Sequence, residues 1–130
     1  MKNKKGFTLI ELMIVVVIIG VISLMGLRLY SNQQDKAKTT LVKANAGTVQ
    51  LLIQSELVDK IITRDEAVLY VAQNAGLHNP FNGSAMNTAE WFPEITDTPG
   101  EIQITLSGGI FFIQGYGADG LLPDILTARR

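Results

Sequence analysis

One carboxylate, Glu11, stands inside an apolar run, residues 7–27 (FTLIELMIVVVIIGVISLMGL), and is the only charge in those 21 residues. As a helix rising about 1.5 Å per residue, the run is about 31 Å long, enough to cross a bilayer. A carboxylate in such a segment costs about 2.5–3.5 kcal/mol on insertion scales, so Glu11 implies a partner: a positive group from outside the run, or the free amides at the start of its own helix. The chemistry open to it is ion pairing rather than catalysis. The remaining candidates are sparse. His78 is the single histidine, beside the turn Asn79-Pro80, with no cysteine anywhere and no helical partner four residues on. It reads as an exposed loop residue. Asp119, in Gly117-Ala118-Asp119-Gly120, and Asp124 are weak candidates for a calcium site, with Asp97 more remote. A hard cation takes about 6–8 oxygen ligands, so two local carboxylates fall short and a plain glycine turn is the expectation. Gly115, Gly117 and Gly120 precede no helix-forming run, so they are not a phosphate-binding fingerprint. Asn82-Gly83-Ser84 has the form of a glycosylation sequon but reads as an Asn-Gly turn. No enzyme, metal or cofactor is expected.

The residues before the run complete the pattern. Residues 1–6, MKNKKG, hold three lysines and end in glycine. A short basic segment ahead of an apolar stretch is a targeting signal rather than part of a fold. No small-x-small cleavage site follows the run, where Leu24, Met25 and Arg28 occupy the relevant places, and without cysteine there is no lipoprotein site. The polar-to-apolar break falls at Gly6–Phe7. Lys5-Gly6-Phe7-Thr8-Leu9-Ile10-Glu11 resembles the class III signal of bacterial type IV pilins and type II secretion pseudopilins. The resemblance covers about the first 30 residues. It implies cleavage by a prepilin peptidase between Gly6 and Phe7, N-methylation of Phe7, and a role for Glu11 in assembly. Removal of residues 1–6 takes away three lysines and moves the formal charge from −1 to −4.

These residues need elements to carry them. After Leu27 the sequence turns polar, RLYSNQQDKAKTT, with good helix formers and no proline. Val42, Ala46, Val49, Ile53 and Leu57 then recur at helical spacing, with Leu52 beside them, and predict a stripe packed on the rest of the chain. One helix over about residues 7–60 follows; the alternative is two helices broken near Gly26 or Gly47. Gly20 and Gly26 either permit local melting or allow close helix packing. Thr63-Arg64-Asp65-Glu66 fits a capping box, opening a helix that runs to about Ala75 and stops at Gly76. Residues 79–100 read as an irregular connection. Residues 101–106 alternate and predict a strand with Ile102, Ile104 and Leu106 inward. A tight turn at residues 107–109 leads to a strand over residues 110–113, apolar on both faces and therefore central, with Phe112 against the helix stripe. The fold class is α+β: a long N-terminal α-helix packed on a small antiparallel sheet, pilin-like in outline. The organisation is a leader (1–6), a transmembrane or filament-core helix (7–27), and the rest of the helix with a globular head (28–130).

Cysteine is absent, so no disulfide closes the C-terminal loop as in many pilins, and packing, neighbouring subunits or a cation must hold it. Residues 28–43 carry Arg28, Lys36, Lys38 and Lys43 against Asp35, whereas residues 61–130 carry three basic groups against eight acids. This asymmetry suits contacts between staggered copies, or simply solubilises the surface. No basic, aromatic-studded face suggests nucleic-acid binding. The resemblance implies a structural pilus subunit: an inner-membrane precursor, then part of an extracellular homopolymeric filament, handled by the peptidase and by inner-membrane assembly machinery. The alternatives are a pseudopilin of a secretion or DNA-uptake system, and a membrane-anchored binding domain.

Overall fold

The computed structural model describes residues 5–130; Lys2 and Lys4, two of the three leader lysines, lie outside the described residues. Helix α1 spans Leu9–Asp59 and α2 spans Arg64–Asn74; a single 3₁₀ turn, Ala89–Trp91, precedes strands β1 (Ile102–Ser107), β2 (Ile110–Gly117), β3 (Gly120–Leu121) and β4 (Leu126–Ala128). Gly20, Gly26 and Gly47 all lie inside α1 without interrupting it. The chain divides into two compact units between Gln34 and Asp35.

In the first unit, every described side chain is exposed. The apolar part of α1 is long and apolar enough to cross a membrane by length and composition.

The second unit is the head. The expected stripe is the buried face of α1: Val42, Ala46, Val49, Ile53 and Leu57. From Ala46 onward these residues share one core with Val68 and Val71 of α2 and with Ile102, Ile104, Phe111 and Ile113 of the sheet. At about 25 cal/mol per Å² of apolar surface removed from water, this cluster is what holds the helix on the sheet. The capping box at α2 forms as expected. Thr63 N–H donates to Glu66 Oε2 (2.7 Å), and Glu66 N–H donates to Thr63 Oγ1 (3.3 Å). The Thr63 amide holds the Glu66 carboxyl below the usual carboxylate range. Gly76, at φ 61°, ends the helical region in the left-handed conformation that glycine adopts freely.

β2 is the centre of the sheet. It runs antiparallel to β1 along one edge, and to β4 and β3 along the other. Gly108 and Gly109 make the two-residue β1–β2 turn with φ of 58° and 79°, the double positive φ that a hairpin of this length requires.

The register corrects two expectations. Side chains alternate along β2, and Phe111 and Ile113 are buried while Phe112 is only half-buried on the opposite face. Where two phenylalanines adjoin, both phases of the alternation look apolar, and pairing with β1 decides between them. Leu106 is 37% exposed rather than inward. It pairs with Phe111 close to the β1–β2 turn, where β1 ends. β2 also continues through Gly115 and Gly117, four residues past the expected strand. A Cβ at Gly115 would lie 2.5 Å from Val42 Cγ1, and one at Gly117 would lie 2.9 Å from Thr39 Cγ2. These glycines serve the close approach of α1 to β2.

The irregular segment before β1 is fastened by a few polar groups. The half-buried Arg64 donates to the carbonyls of Ile104 and Phe92, both at 2.7 Å. Asn79, fully buried, donates to Pro99 O (3.0 Å) and accepts from Phe81 N–H (2.8 Å). Gly100, at φ 92°, has no room for a Cβ because the Asn79 side chain fills that space.

Candidate assembly segment

Residues 5–8 are not helical, and α1 begins at Leu9. The junction is built by two residues. Glu11 N–H donates to Thr8 Oγ1 at 3.2 Å, and Thr8 N–H donates back to Glu11 Oε2, also at 3.2 Å. This is a reciprocal capping box with Thr8 as N-cap, of the same kind that opens α2. The first amides of a helix have no partner within it, and an apolar environment has no water to supply one. Glu11 meets part of that need, and its negative charge lies at the positive end of the helix dipole. Thr8 was missed as a functional residue in the sequence, although Thr8-x-x-Glu11 carries the same spacing signal as Thr63-x-x-Glu66. The hydropathy of the run hides it.

Gly6 and Phe7 precede this box in exposed, non-helical chain, with Phe7 89% exposed. Behind it, all the large apolar side chains between Leu9 and Leu29 lie on the surface. Monomeric soluble proteins rarely expose more than a few hundred Å² of contiguous apolar surface. An apolar cylinder on this scale is suited to lipid or to other such helices.

The other sequence candidates do not converge. His78 is exposed; its carbonyl accepts from Asn45 Nδ2 (3.1 Å), and it bridges to Ala85. Asp119 lies exposed in the turn between β2 and β3. Asp124 pairs with Lys43 at 3.3 Å, with both side chains largely in solvent. Among the described residues, no three His, Cys, Asp or Glu side chains gather. Asn82-Gly83-Ser84 is a turn in which Asn82 Oδ1 accepts from Ser84 N–H (2.9 Å).

The C-terminal strand is held without a disulfide. Gln50 Nε2 donates to Thr127 O (2.8 Å), and Gln54, one helical turn on, donates to Arg129 O (2.7 Å) and accepts from Arg129 N–H (3.2 Å). Two side chains of α1 thus act as a further hydrogen-bonding neighbour for the free edge of β4. Ala128, between the two contacts, is buried in the core.

The comparisons with known proteins bear on the N-terminal segment first. Residues 1–27 match the family described as the prokaryotic N-terminal methylation motif. A probable minor fimbrial protein of Dichelobacter nodosus is 37% identical over 87 residues, which is 67% of this chain and 55% of that protein. Fimbrial protein EcpB of Eikenella corrodens is 36% identical over 96 residues, 68% of this chain and 60% of its own length. The type IV major alpha-pilin of Moraxella bovis is 37% identical over 59 residues, covering 45% of this chain and 37% of that protein. The chain spans a little over half the length of the first two relatives. No solved structure matches it.

Proposed function

We infer the role of this chain from its membership of the type IV pilin family: it is a structural subunit of a pilus, cut between Gly6 and Phe7 and polymerised through α1. The observation that carries this reading is the exposed apolar length of α1 with a single, capped carboxylate one turn from the new N-terminus. The methylation-motif match and the fimbrial relatives support it. Such a subunit does its work by association rather than catalysis.

The steps follow from the geometry and from elementary energetics. Before processing, the apolar run holds the precursor in the inner membrane. Cleavage creates an α-amino group on Phe7, four residues from Glu11. In a bundle of apolar helices, each of these charges is costly alone. Glu11 uses only Oε2 in its own capping box, which leaves Oε1 to accept from the Phe7 amine of an adjacent subunit. That pair rewards one axial register between neighbours, which is what a helical filament requires. The apolar surface withdrawn from lipid is then buried against other copies instead of meeting water. The fimbrial names of the relatives favour a pilus over a secretion pseudopilus, and no feature of the head favours an anchored binding domain.

Two measurements on one set of cells test the reading. Mass spectrometry of the assembled protein is expected to find a mature N-terminus at Phe7 bearing one methyl group. Intact Met1, or a cut beyond Leu27, would refute the assignment. Glu11→Ala is expected to be cut and inserted normally but to give few or no filaments, and wild-type filament yield would refute the pairing.

A further inference from the structure

The turn at residues 79–84 carries two asparagines of opposite chemistry. Asn79 precedes proline and Asn82 precedes glycine. An asparagine side chain closes on its own backbone when the next amide nitrogen attacks Cγ. Proline has no N–H to lose, so Asn79, the buried member of the pair, cannot follow that route. Glycine puts no side chain in the way, and Asn82 and Gly83 are both exposed. Of the seven asparagines in the sequence, Asn82 is the one that precedes glycine. No heavy atom lies within 4 Å of where a Cβ at Gly83 would be, so a ring formed here meets no crowding on that side.

We propose that Asn82 is a site of spontaneous modification, converted with Gly83 through a cyclic imide to aspartate or isoaspartate, and that the hydrogen bonds of the turn hold the reaction back in the folded head. In the first step Gly83 N bonds to Asn82 Cγ. The bond from Cγ to Nδ2 breaks, and Nδ2 leaves as ammonia with the proton that Gly83 N gives up. Water then opens the ring. Cleavage between Cγ and Gly83 N gives aspartate, and cleavage between the Asn82 carbonyl carbon and Gly83 N gives isoaspartate. No oxidant or reductant is needed, and nothing in the chemistry depends on assembly.

Two hydrogen bonds stand in the way. Gly83 N–H donates to Asn79 O (2.8 Å), so the nitrogen that must lose its proton is engaged. Asn82 Oδ1 accepts from Ser84 N–H (2.9 Å), which fixes the amide that must turn toward Gly83. The turn around them is tied down. Asn79 N–H donates to Ser84 O (2.9 Å) and Met86 N–H to Leu77 O (2.8 Å). Phe81 N–H donates to Asn79 Oδ1 (2.8 Å), and Asn45 Nδ2 of α1 donates to His78 O (3.1 Å). Attack therefore waits on local opening, whose free energy sets how often Gly83 N–H is released. Amide hydrogen exchange at Gly83 passes through the same deprotonated nitrogen, so one opening governs both reactions.

The fold treats the two products differently. Aspartate leaves the backbone unchanged, and its carboxylate accepts from Ser84 N–H as the amide oxygen did, more strongly for its charge. The new charge appears next to Phe81, whose ring already lies under Lys38 Nζ at 5.7 Å from the centroid. Isoaspartate routes the main chain through Cβ and Cγ and lengthens it by one atom. That shifts Gly83 N–H off Asn79 O and opens the turn.

The test uses full-length chain in detergent micelles, incubated in neutral buffer with and without enough urea to unfold the head. Peptide mapping by mass spectrometry separates asparagine, aspartate and isoaspartate at position 82, and hydrogen exchange at Gly83 is read on the same sample. In urea, Asn82 is expected to convert before every other asparagine. In the folded chain, conversion is expected to be at least about tenfold slower, with Gly83 exchange slowed by a similar factor. Equal conversion rates with and without urea would overturn the gating. No conversion at Asn82 in urea, or earlier conversion at another asparagine, would overturn the site. Asn82→Asp is expected to melt with the wild type and the purified isoaspartate form below it. Asn82→Asp melting as low as the isoaspartate form, or failing to fold, would overturn the difference between the products.

Discussion

Replacing Ile53 with alanine tests how the head is held on α1. Ile53 is fully buried in the core shared by α1, α2 and the sheet. The change removes three carbons, about 2.4 kcal/mol at ~0.8 kcal/mol per buried methylene. The cavity left behind adds to this, for a total of about 2–5 kcal/mol. In a domain near 100 residues, each kcal/mol moves the melting temperature by about 4–8 °C, so a fall of at least about 10 °C is expected. The matched control is Leu51→Ala, two residues away and 71% exposed, which should change stability by no more than about 0.5 kcal/mol. The assay is urea and thermal unfolding of residues 35–130, the compact unit of the head, followed by circular dichroism. Loss of the same size for both variants, or no loss for Ile53→Ala, would refute the docking of α1 through this face.

Phe111→Ala should cost about 3–5 kcal/mol in the same melts and Phe112→Ala clearly less, since only Phe111 enters the core. Equal losses would mean the β2 register is wrong. Gly115→Ala should destabilise by about 1–3 kcal/mol through overpacking against Val42, with partial recovery by Val42→Ala in a double-mutant cycle. Glu66 has its pKa lowered in the fold, so its contribution is present above the ordinary glutamate pKa of about 4.3 and is lost as pH falls through the folded value. Wild type should therefore melt above Glu66→Gln at pH 7, and the gap should close toward pH 2; a gap that widens on acidification would contradict the capping role. Gly100→Ala should destabilise strongly, because it meets both a positive φ and the buried Asn79 side chain, and melting at the wild-type temperature would contradict that geometry.

The parts of this molecule that were legible in its sequence are those specified by neighbours along the chain. The stripe from Val42 to Leu57 repeats with the period of a helix, the Thr63-x-x-Glu66 box has fixed spacing, and Gly108-Gly109 admits few turns other than a tight one. The expected processing site is marked only by polar and apolar chain meeting at one bond, Gly6–Phe7. What could not be read depends on partners far away in sequence. The choice between Phe111 and Phe112 is made by pairing with β1. Strands β3 and β4 are two and three residues long and carry no periodicity of their own. Gln50 and Gln54 look like ordinary surface glutamines until the carbonyls of Thr127 and Arg129 are placed against them. Asp124 is only a weak cation candidate in the sequence, and its pairing with Lys43 depends on a residue 81 positions away.

That glutamine clasp has a consequence in time. Thr127 is 77 residues after Gln50, and Arg129 is 75 after Gln54. At about 5–20 residues per second of synthesis, the carbonyls that close the clasp emerge roughly 4–15 s after the glutamines that grip them. Until then the β2 edge that β4 will cover has no neighbour, and the core lacks Ala128. A nascent chain interrupted before Thr127 therefore has the apolar helix but no closed clasp, and its β2 edge stays uncovered. Closure of the clasp reports that translation has passed this point, and it does so with hydrogen bonds alone, independently of any oxidant in the compartment where the head folds.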